Sequence, residues 1–197
     1  MNWITATNLK GEFVTLEVLT MDHVQALQKA VLDGEAWKLW YANVPSPQNM
    51  ESYVIKAIEK AQGGDIAFAV RCNKTNKIVG TTRYYDVDAK NRRARIGYTW
   101  YSAAVRRTPV NTECKLLLLI HLFESHEAIA AEFQIHFFNQ ASRNAVERLG
   151  AKQDGILRNH KILKDGSIRD TVVYSIINNE WPSVKNNLLS KLVIPDN

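Results

Sequence analysis

A strongly apolar segment between two strand-like segments constrains the fold of this chain more than any other feature of its sequence. Residues 116–120 read Leu-Leu-Leu-Leu-Ile and, together with Phe123, predict a helix that is apolar on most sides. The segments 93–101 and 131–138 on either side of it have the pattern of strands. Because a helix connects them, the two strands are predicted to run parallel.

The remaining periodicities predict further strands and helices, without repeats or linkers. Strands are predicted over 11–19, 66–70, 77–85 and on both sides of a turn at Lys164-Asp165-Gly166-Ser167, and helices over 20–34, 46–64, 139–150 and about 180–192. The order is β-α-α-β-β-β-α-β-α-β-β-α, which indicates an α+β fold with a mixed, mostly antiparallel sheet and helices on both faces. We expect one domain spanning residues 1–197.

Composition excludes several classes of protein. The values of 46% hydrophobic and 23% charged residues are those of a globular chain. A net charge of +5 favours anionic partners, which leaves a phosphorylated cofactor, nucleic acid or neither. Cys72 and Cys114 are too few for a disulfide scaffold, so we expect a reducing, cytoplasmic setting. The first residues lack the pattern of a signal peptide and the longest apolar run is too short for a bilayer, so neither a leader nor a membrane span is expected.

Several chemical motifs are absent from the sequence. It contains no G-x-G-x-x-G, no Walker-type loop, no G-x-S-x-G and no H-E-x-x-H. His121 and His126 are five residues apart on a predicted helix, hence about 140° apart around its axis, and are not expected to share a metal ion. We therefore expect no metal site.

The segment 102–113 leaves a strand and enters the apolar helix. Free amides at a helix N-terminus attract anions, and Arg106 and Arg107 add phosphate donors there. Asn111 or Thr112 is the predicted cap of the helix. The segment lacks glycine and Pro109 removes one N–H, so a solvated basic loop beside an ordinary helix remains an alternative.

The segment 139–151 is a second candidate for ligand binding. Asn139 opens a helix, where its amide can either cap the helix or contact a ligand that carries amide groups. Ser142 is expected on the same face. The alternative is that both residues only cap and pack.

With these two segments, the chain resembles a GNAT-superfamily N-acetyltransferase of the RimJ/RimL-like branch, which is named for ribosomal-protein N-terminal acetyltransferases. The resemblance covers nearly the whole chain. It depends on VGTTRY at 79–84, IGYTW at 96–100, VNTE at 110–113, the helix at 139–151 and GILR at 155–158.

The resemblance implies how acetyl-CoA binds. It would lie where strands 93–101 and 131–138 splay apart, with its pantetheine arm along the backbone of the first strand and beside the 139–151 helix, and its pyrophosphate on the following loop. The implied cofactor-binding residues are Trp100, Tyr101, Arg106, Arg107, Thr108, Val110, Asn111, Thr112, Asn139 and Ser142. Ser142 would lie near the thiol and assist the departing thiolate.

The same resemblance implies direct transfer of an acetyl group to a primary amine, of a peptide N-terminus or a small molecule, by a monomer or homodimer. Walls of the acceptor pocket are expected from Trp37, Trp40, Tyr41, Arg83 and Tyr85. Backbone amides at a strand bulge near 100–102 are expected to hold the oxyanion.

The sequence departs from the family pattern in two places. The segment 107–112 lacks both glycines of the usual pyrophosphate loop, and the usual acid and base positions hold Arg95 and Val146. We nominate His160 as the base, since histidine titrates near neutral pH, and expect Arg158 on the same strand face. A non-catalytic acyl-CoA-binding module remains the alternative, and a nucleic-acid-associated protein is less favoured because the basic residues are dispersed.

Overall fold

The structure is a computed structural model that describes residues 3–163 and 165–193. Within this part of the chain, eight strands form one sheet: β1 (Leu9–Lys10), β2 (Val14–Val18), β3 (Ile66–Cys72), β4 (Lys77–Asp88), β5 (Arg93–Tyr101), β6 (Ala130–His136), β7 (Lys152–Ile162) and β8 (Ile168–Ile177). The helices are α1 (Val24–Leu32), α2 (Met50–Glu59), α3 (Pro109–Ile120), α4 (Gln140–Leu149) and α5 (Trp181–Leu192).

The strand order across the sheet is β1-β2-β3-β4-β5-β6-β8-β7. Neighbours are antiparallel except β5 and β6, which are parallel. The predicted α+β class, the order of the main elements and the parallel crossover are therefore confirmed. Among the strands, only the two-residue strand β1 was not predicted. Lys164, in the predicted turn at 164–167, lies outside the described residues.

Helices cover both faces of the sheet. On the first face, α3, α4 and α5 pack against inward-facing side chains such as Phe68, Tyr84 and Phe133. On the second face, α1 and α2 pack against Ala69 and Trp100. Complete burial of a large aliphatic side chain contributes roughly 1.5–3 kcal/mol, so these two layers supply much of the stability.

Helix α3 begins earlier than the sequence predicted. Thr108 has an extended backbone and its hydroxyl accepts a hydrogen bond from the Val110 amide at 3.4 Å, which makes Thr108 the N-cap and Pro109 the first helical residue. The expectation that Asn111 or Thr112 caps this helix was wrong. A proline after a threonine cap is a favourable start, because the first helical N–H has no intrahelical acceptor.

A buried carboxylate fastens α3 to the first hairpin of the sheet. Glu113 accepts backbone N–H bonds from Glu12, Phe13 and Val14 at 2.8, 2.6 and 2.7 Å. Gly11 lies against the same carboxylate, where an added Cβ would approach it to 2.4 Å. Among the described residues no cation pairs with this carboxylate, so the three amides compensate its charge and hold the N-terminal half of α3 in place.

A π-helix follows α3 and changes which residues face one another. It spans His121–Ser125. Bonds of the i→i+5 type bring residues five apart to one side, and the Nε2 atoms of His121 and His126 lie 3.1 Å apart. The expectation that these rings point in different directions was wrong, because it assumed α-helical geometry.

None of the helices in residues 3–163 and 165–193 is long and apolar enough to cross a membrane.

Candidate active site

The parallel strands β5 and β6 separate shortly after they begin. Their pairing joins Arg93, Ala94 and Arg95 to Ala130, Ala131 and Glu132, and ends there. The strands nevertheless continue to Tyr101 and His136. Their facing edges beyond residues 95 and 132 therefore border a cleft in the sheet.

A bulge in β5 lies beside this cleft. The register with β4 jumps from Gly97 opposite Arg83 to Trp100 opposite Thr81, and Tyr98 has a left-handed backbone with φ 51°. This bulge begins before residues 100–102, where the sequence predicted a bulge with amides for the oxyanion. A β-bulge redirects backbone groups locally, so the amides of this strand no longer all point along the sheet.

Buried Lys115 of α3 supports the bulged strand. Its Nζ donates to Thr99 Oγ1 at 2.7 Å and to Thr82 Oγ1 at 3.2 Å. Burial lowers the pKa of this amine, and the nearby Cys114 acts in the opposite direction. Two hydroxyls thus satisfy a lysine that has no carboxylate partner among the described residues.

The loop between β5 and α3 offers amides beside the cleft. The amides of Arg107 and Thr108 donate to no described residue, and Asn111 lies in the first turn of α3, where amides lack intrahelical acceptors. Arg107 has a left-handed backbone with φ 61°, a conformation that glycine adopts more easily. Arg107 therefore adopts, with backbone strain, a turn conformation that a glycine would adopt without strain.

Neighbouring groups fix the position of this loop. The amides of Ala103 and Ala104 donate to the carbonyl and carboxylate of Asp33 at 3.0 and 2.8 Å, which joins the loop to the end of α1. Arg106 is exposed and its guanidinium lies against Gly34. The side chains of Val110 and Thr112 in α3 are buried, so we expect these two residues to contact a ligand through backbone groups.

Asn139 caps α4 in the structure. Its Oδ1 accepts the Ser142 amide at 3.1 Å. This bond uses the side-chain oxygen and leaves the amide nitrogen for another partner, so the capping role and the predicted contact with pantetheine are compatible. Ser142 is half-buried in the first turn of the same helix.

Four aromatic rings meet at the end of β6. His136 lies 5.0 Å from Trp40, 6.0 Å from Tyr41 and 5.9 Å from Phe138, measured between ring centroids. His136 Nδ1 accepts the Phe138 amide at 3.1 Å, so the neutral ring carries its proton on Nε2. That Nε2 is buried and has no partner among the described residues. Burial, and next Arg169, lower the pKa of His136.

Arg83 is buried on the second face of the sheet. Its guanidinium carbon lies 4.2 Å from the centre of the Tyr98 ring and 5.4 Å from that of Tyr53. Tyr85 packs edge-on against Tyr98 at 5.1 Å, and burial raises the pKa of Tyr85. Trp37 packs with the cluster beneath α1 and α2, as does Tyr53.

His160 lies toward the same face of the sheet, on the outermost strand. Its Nδ1 is 2.9 Å from Thr171 Oγ1, and this hydroxyl oxygen accepts a hydrogen bond from Arg169 Nε at 2.9 Å. Burial, followed by Lys161 and Arg169, lowers the pKa of His160.

Arg158 does not share that face. It donates to Asp170 Oδ2 at 2.6 Å, and Asp170 is the neighbour of Thr171 on β8, so the two partners point to opposite sides of the sheet. The cause is an irregularity between residues 157 and 161, where Asn159 has φ 50°. The expectation that Arg158 and His160 line one surface was wrong.

Sequence reasoning missed several polar residues of this face, namely Tyr53, Tyr98, His136, Arg169 and Thr171. A signal was available in β6, where the polar residues at positions 132, 134 and 136 alternate with apolar residues at 133 and 135. Among the residues that the structure describes, no group of three or more His, Cys, Asp or Glu side chains suits a metal ion.

A cleft between parallel strands, with free amides and a helix N-terminus at its end, suits an extended ligand that carries phosphate groups. Residues 14–152 match the family model described as the acetyltransferase (GNAT) domain. The chain therefore belongs to the GNAT acetyltransferase family and is an acyltransferase.

Solved structures agree with this assignment. A GCN5-related N-acetyltransferase from Brucella melitensis is 27% identical with a TM-score of 0.87, covering 97% of this chain and 87% of that one. A candidate acetyltransferase from T. thermophilus is 30% identical with a TM-score of 0.84, covering 96% and 99%. An acetyltransferase from Salmonella typhimurium that modifies the N-terminal serine of ribosomal protein L7/L12 shares the fold at 20% identity and a TM-score of 0.76, covering 87% and 99%. No curated protein matches the chain significantly in sequence.

The predicted family is thus confirmed, and RimL-like acetyltransferases are among the structures that share the fold. Family membership supports an enzyme over a non-catalytic binding module. The individual site residues, and the cytoplasmic location, stay predictions.

Proposed function

We propose that the protein transfers an acetyl group from acetyl-CoA directly to a primary amine. The observation that carries the proposal is the early end of the β5–β6 pairing, beside a loop with free amides. An extended arm with amide groups can pair with a free strand edge, and a diphosphate can accept from the loop and the start of α3.

The fit of the loop to a diphosphate depends on backbone groups and on two arginines. The amides of Arg107, Thr108 and Asn111 supply donors, and Arg106 and Arg107 add positive charge. Pro109 removes one of the first N–H groups of α3, so the amides of Arg107, Thr108 and Asn111 are the donors proposed for the phosphates. The absence of glycine is therefore compatible with phosphate binding.

The reaction needs a neutral amine, a polarised carbonyl and a leaving thiolate. The amine nitrogen forms a bond to the thioester carbon, the carbon–sulfur bond breaks, and the amine proton goes to a base. His160 is the proposed base, because its lowered pKa keeps the ring neutral near pH 7. Ser142 is proposed to hydrogen-bond the departing sulfur, and amides of the bulged strand to stabilise the oxyanion.

His136 is less suited to be the base than His160. Its Nδ1 already accepts a backbone amide, so its free nitrogen carries a proton and acts as a donor. His136 Nε2 can therefore donate a hydrogen bond to a substrate at the end of the cleft, but it cannot accept the proton of the amine.

The test has two parts. Calorimetric titration with acetyl-CoA measures binding, and release of free thiol over a panel of amines measures transfer. We expect saturable binding, and thiol release that depends on the amine. Binding without thiol release on any amine would favour the non-catalytic module, and no binding would refute the proposal.

A further inference from the structure

On the second face of the sheet, two side chains carry buried hydrogen-bond donors that have no partner among the described residues. Arg83 Nε and His136 Nε2 make no hydrogen bond with any residue in the described part of the chain. Both side chains are 4% exposed. Buried donors left unpaired are unfavourable, so this arrangement calls for a ligand that brings acceptor atoms.

Arg83 also has no carboxylate in direct contact among the described residues. Arg95, on the same face, forms ion pairs with Asp86 and Glu132, whereas Arg83 forms none with the residues that the structure describes. The buried carboxylate of Asp65 accepts the Asp86 amide at 3.0 Å. Burial raises the pKa of Asp65 and Arg83 is near enough to act in the opposite direction, but the two groups form no ion pair. A buried arginine without a carboxylate is suited to bind one, because its planar fork matches a carboxylate in two hydrogen bonds.

Arg169 brings a second buried guanidinium to this region. It donates to Thr171 Oγ1 and to the Gln134 carbonyl, at 2.9 and 3.4 Å, and no described carboxylate pairs with it. Thr171 lies opposite His136 in the β6–β8 register, so Arg169 and His136 belong to adjoining strands. Tyr98, which stacks with Arg83, is also close enough to Arg169 to influence its pKa.

We infer that the acceptor amine carries a carboxylate, which Arg83 binds while Arg169 and His136 add positive potential and a further donor. The inference rests on the proposed acetyl transfer and names the class of acceptor. Either a free amino acid or an acidic residue near a peptide N-terminus supplies this chemistry.

Matched pairs of amines test the inference in the wild-type enzyme. One pair is β-alanine and β-alaninamide, and the other is a tetrapeptide with glutamate at its second position and the same peptide with glutamine. We expect kcat/KM to be about 10- to 100-fold higher for the carboxylate member of one pair, the range that a charge-assisted hydrogen bond contributes. The pair that shows the preference identifies the source, and equal values within both pairs would overturn the inference.

Variants then assign the preference to Arg83. In Arg83→Gln the ratio within the preferred pair should fall toward one, and in Arg83→Lys, which keeps the charge and loses the fork, it should be intermediate. Arg148→Gln removes an exposed arginine from α4 and should leave the ratio unchanged. A full preference in folded Arg83→Gln, with folding checked by thermal melting and acetyl-CoA titration, would overturn the inference.

A binding measurement separates this inference from the proposed transfer. Propionate, or the N-acetylated form of the peptide, carries the carboxylate without a reactive amine, and its binding to the CoA-loaded protein is measured by calorimetry. Saturable binding that is lost in Arg83→Gln supports the carboxylate site even if no amine is acetylated. Absence of such binding, together with amine-dependent thiol release that ignores the carboxylate, would refute the site and leave the transfer intact.

Discussion

The Nε2 atoms of His121 and His126 lie 3.1 Å apart, so one of the two rings donates to the other. His126 also receives the Thr5 amide at 3.3 Å, and its carbonyl accepts from Trp3 Nε1 at 3.0 Å. The pair therefore joins the end of the π-helix to the first described residues of the chain. Because one Nε2 must carry a proton and the other must accept it, this contact depends on pH.

Acid should weaken folding through His121. Burial, and next His126, lower the pKa of His121 from 6.5 to about 4. Between these values the unfolded chain binds a proton that the folded chain does not, so stability present above pH 6.5 is lost as the pH falls to 4. The loss amounts to at most about 3 kcal/mol.

Urea denaturation across pH 4 to 7 measures this dependence. In His121→Phe, the decrease in the free energy of unfolding over that range should be smaller than in the wild type. Carboxylates such as Glu17 contribute to both curves alike, so the difference isolates the histidine. Parallel curves for the two proteins would contradict the prediction.

Glu113→Gln should destabilise the fold. The wild-type carboxylate accepts three backbone amides, whereas an amide side chain has one oxygen and turns an N–H toward a donor. Loss of charge-assisted bonds should lower the free energy of unfolding by about 2–3 kcal/mol. Glu51→Gln, on an exposed position of α2, is the matched control and should change it little. Equal stability of the two variants would refute this account of Glu113.

The main helices and strands follow from local patterns in the sequence. The alternation of apolar and polar residues predicted β5. The ends of α4 were predicted from Asn139 and Gly150. The parallel crossover followed from the helix between two strands. The start of α3 was also within reach, because Thr108-Pro109 repeats the cap-and-proline signal that marks Ser46-Pro47.

Features that depend on tertiary contacts were not predictable in the same way. The π-helix and the irregularity at Asn159 change the period along the chain, so the directions of His126 and Arg158 came out wrong. The strand order that places β8 beside β6 cannot be read from local sequence, and His136 and Arg169 were therefore not associated with Arg83. Arg83, His136 and Arg169 lie on three different strands, β4, β6 and β8.

Asn139 should serve both the helix and the ligand, and two variants separate these roles. Asn139→Ala removes the cap on α4 and should cost about 1 kcal/mol of stability, whereas Asn139→Ser keeps a cap. Both variants lose the side-chain amide and should bind acetyl-CoA more weakly. If Asn139→Ser binds acetyl-CoA as tightly as the wild type, Asn139 is a cap only.

Arg107 should contribute charge to acetyl-CoA binding at the cost of backbone strain. Its side chain is exposed and its backbone is left-handed. Arg107→Gly relieves the strain and removes the guanidinium, so we expect unchanged or higher stability with about 10-fold weaker acetyl-CoA binding at low salt. The difference in affinity should shrink at high salt. Equal affinity at low salt would exclude the Arg107 side chain from phosphate binding.

His160→Ala should reduce turnover more at pH 6.5 than at pH 9. The lowered pKa of His160 leaves its ring neutral and able to accept a proton at pH 6.5, where amines are mostly protonated, and at pH 9 more free amine is present. We expect a loss of at least about 10-fold at the lower pH, the smaller end of what general base catalysis contributes. Lys74→Ala changes an exposed lysine in the turn between β3 and β4, which is not among the groups that shift the pKa of His160, and should leave the pH profile of kcat in place. A small or pH-independent effect of His160→Ala would exclude this histidine as the base and would leave the proton to water in the cleft.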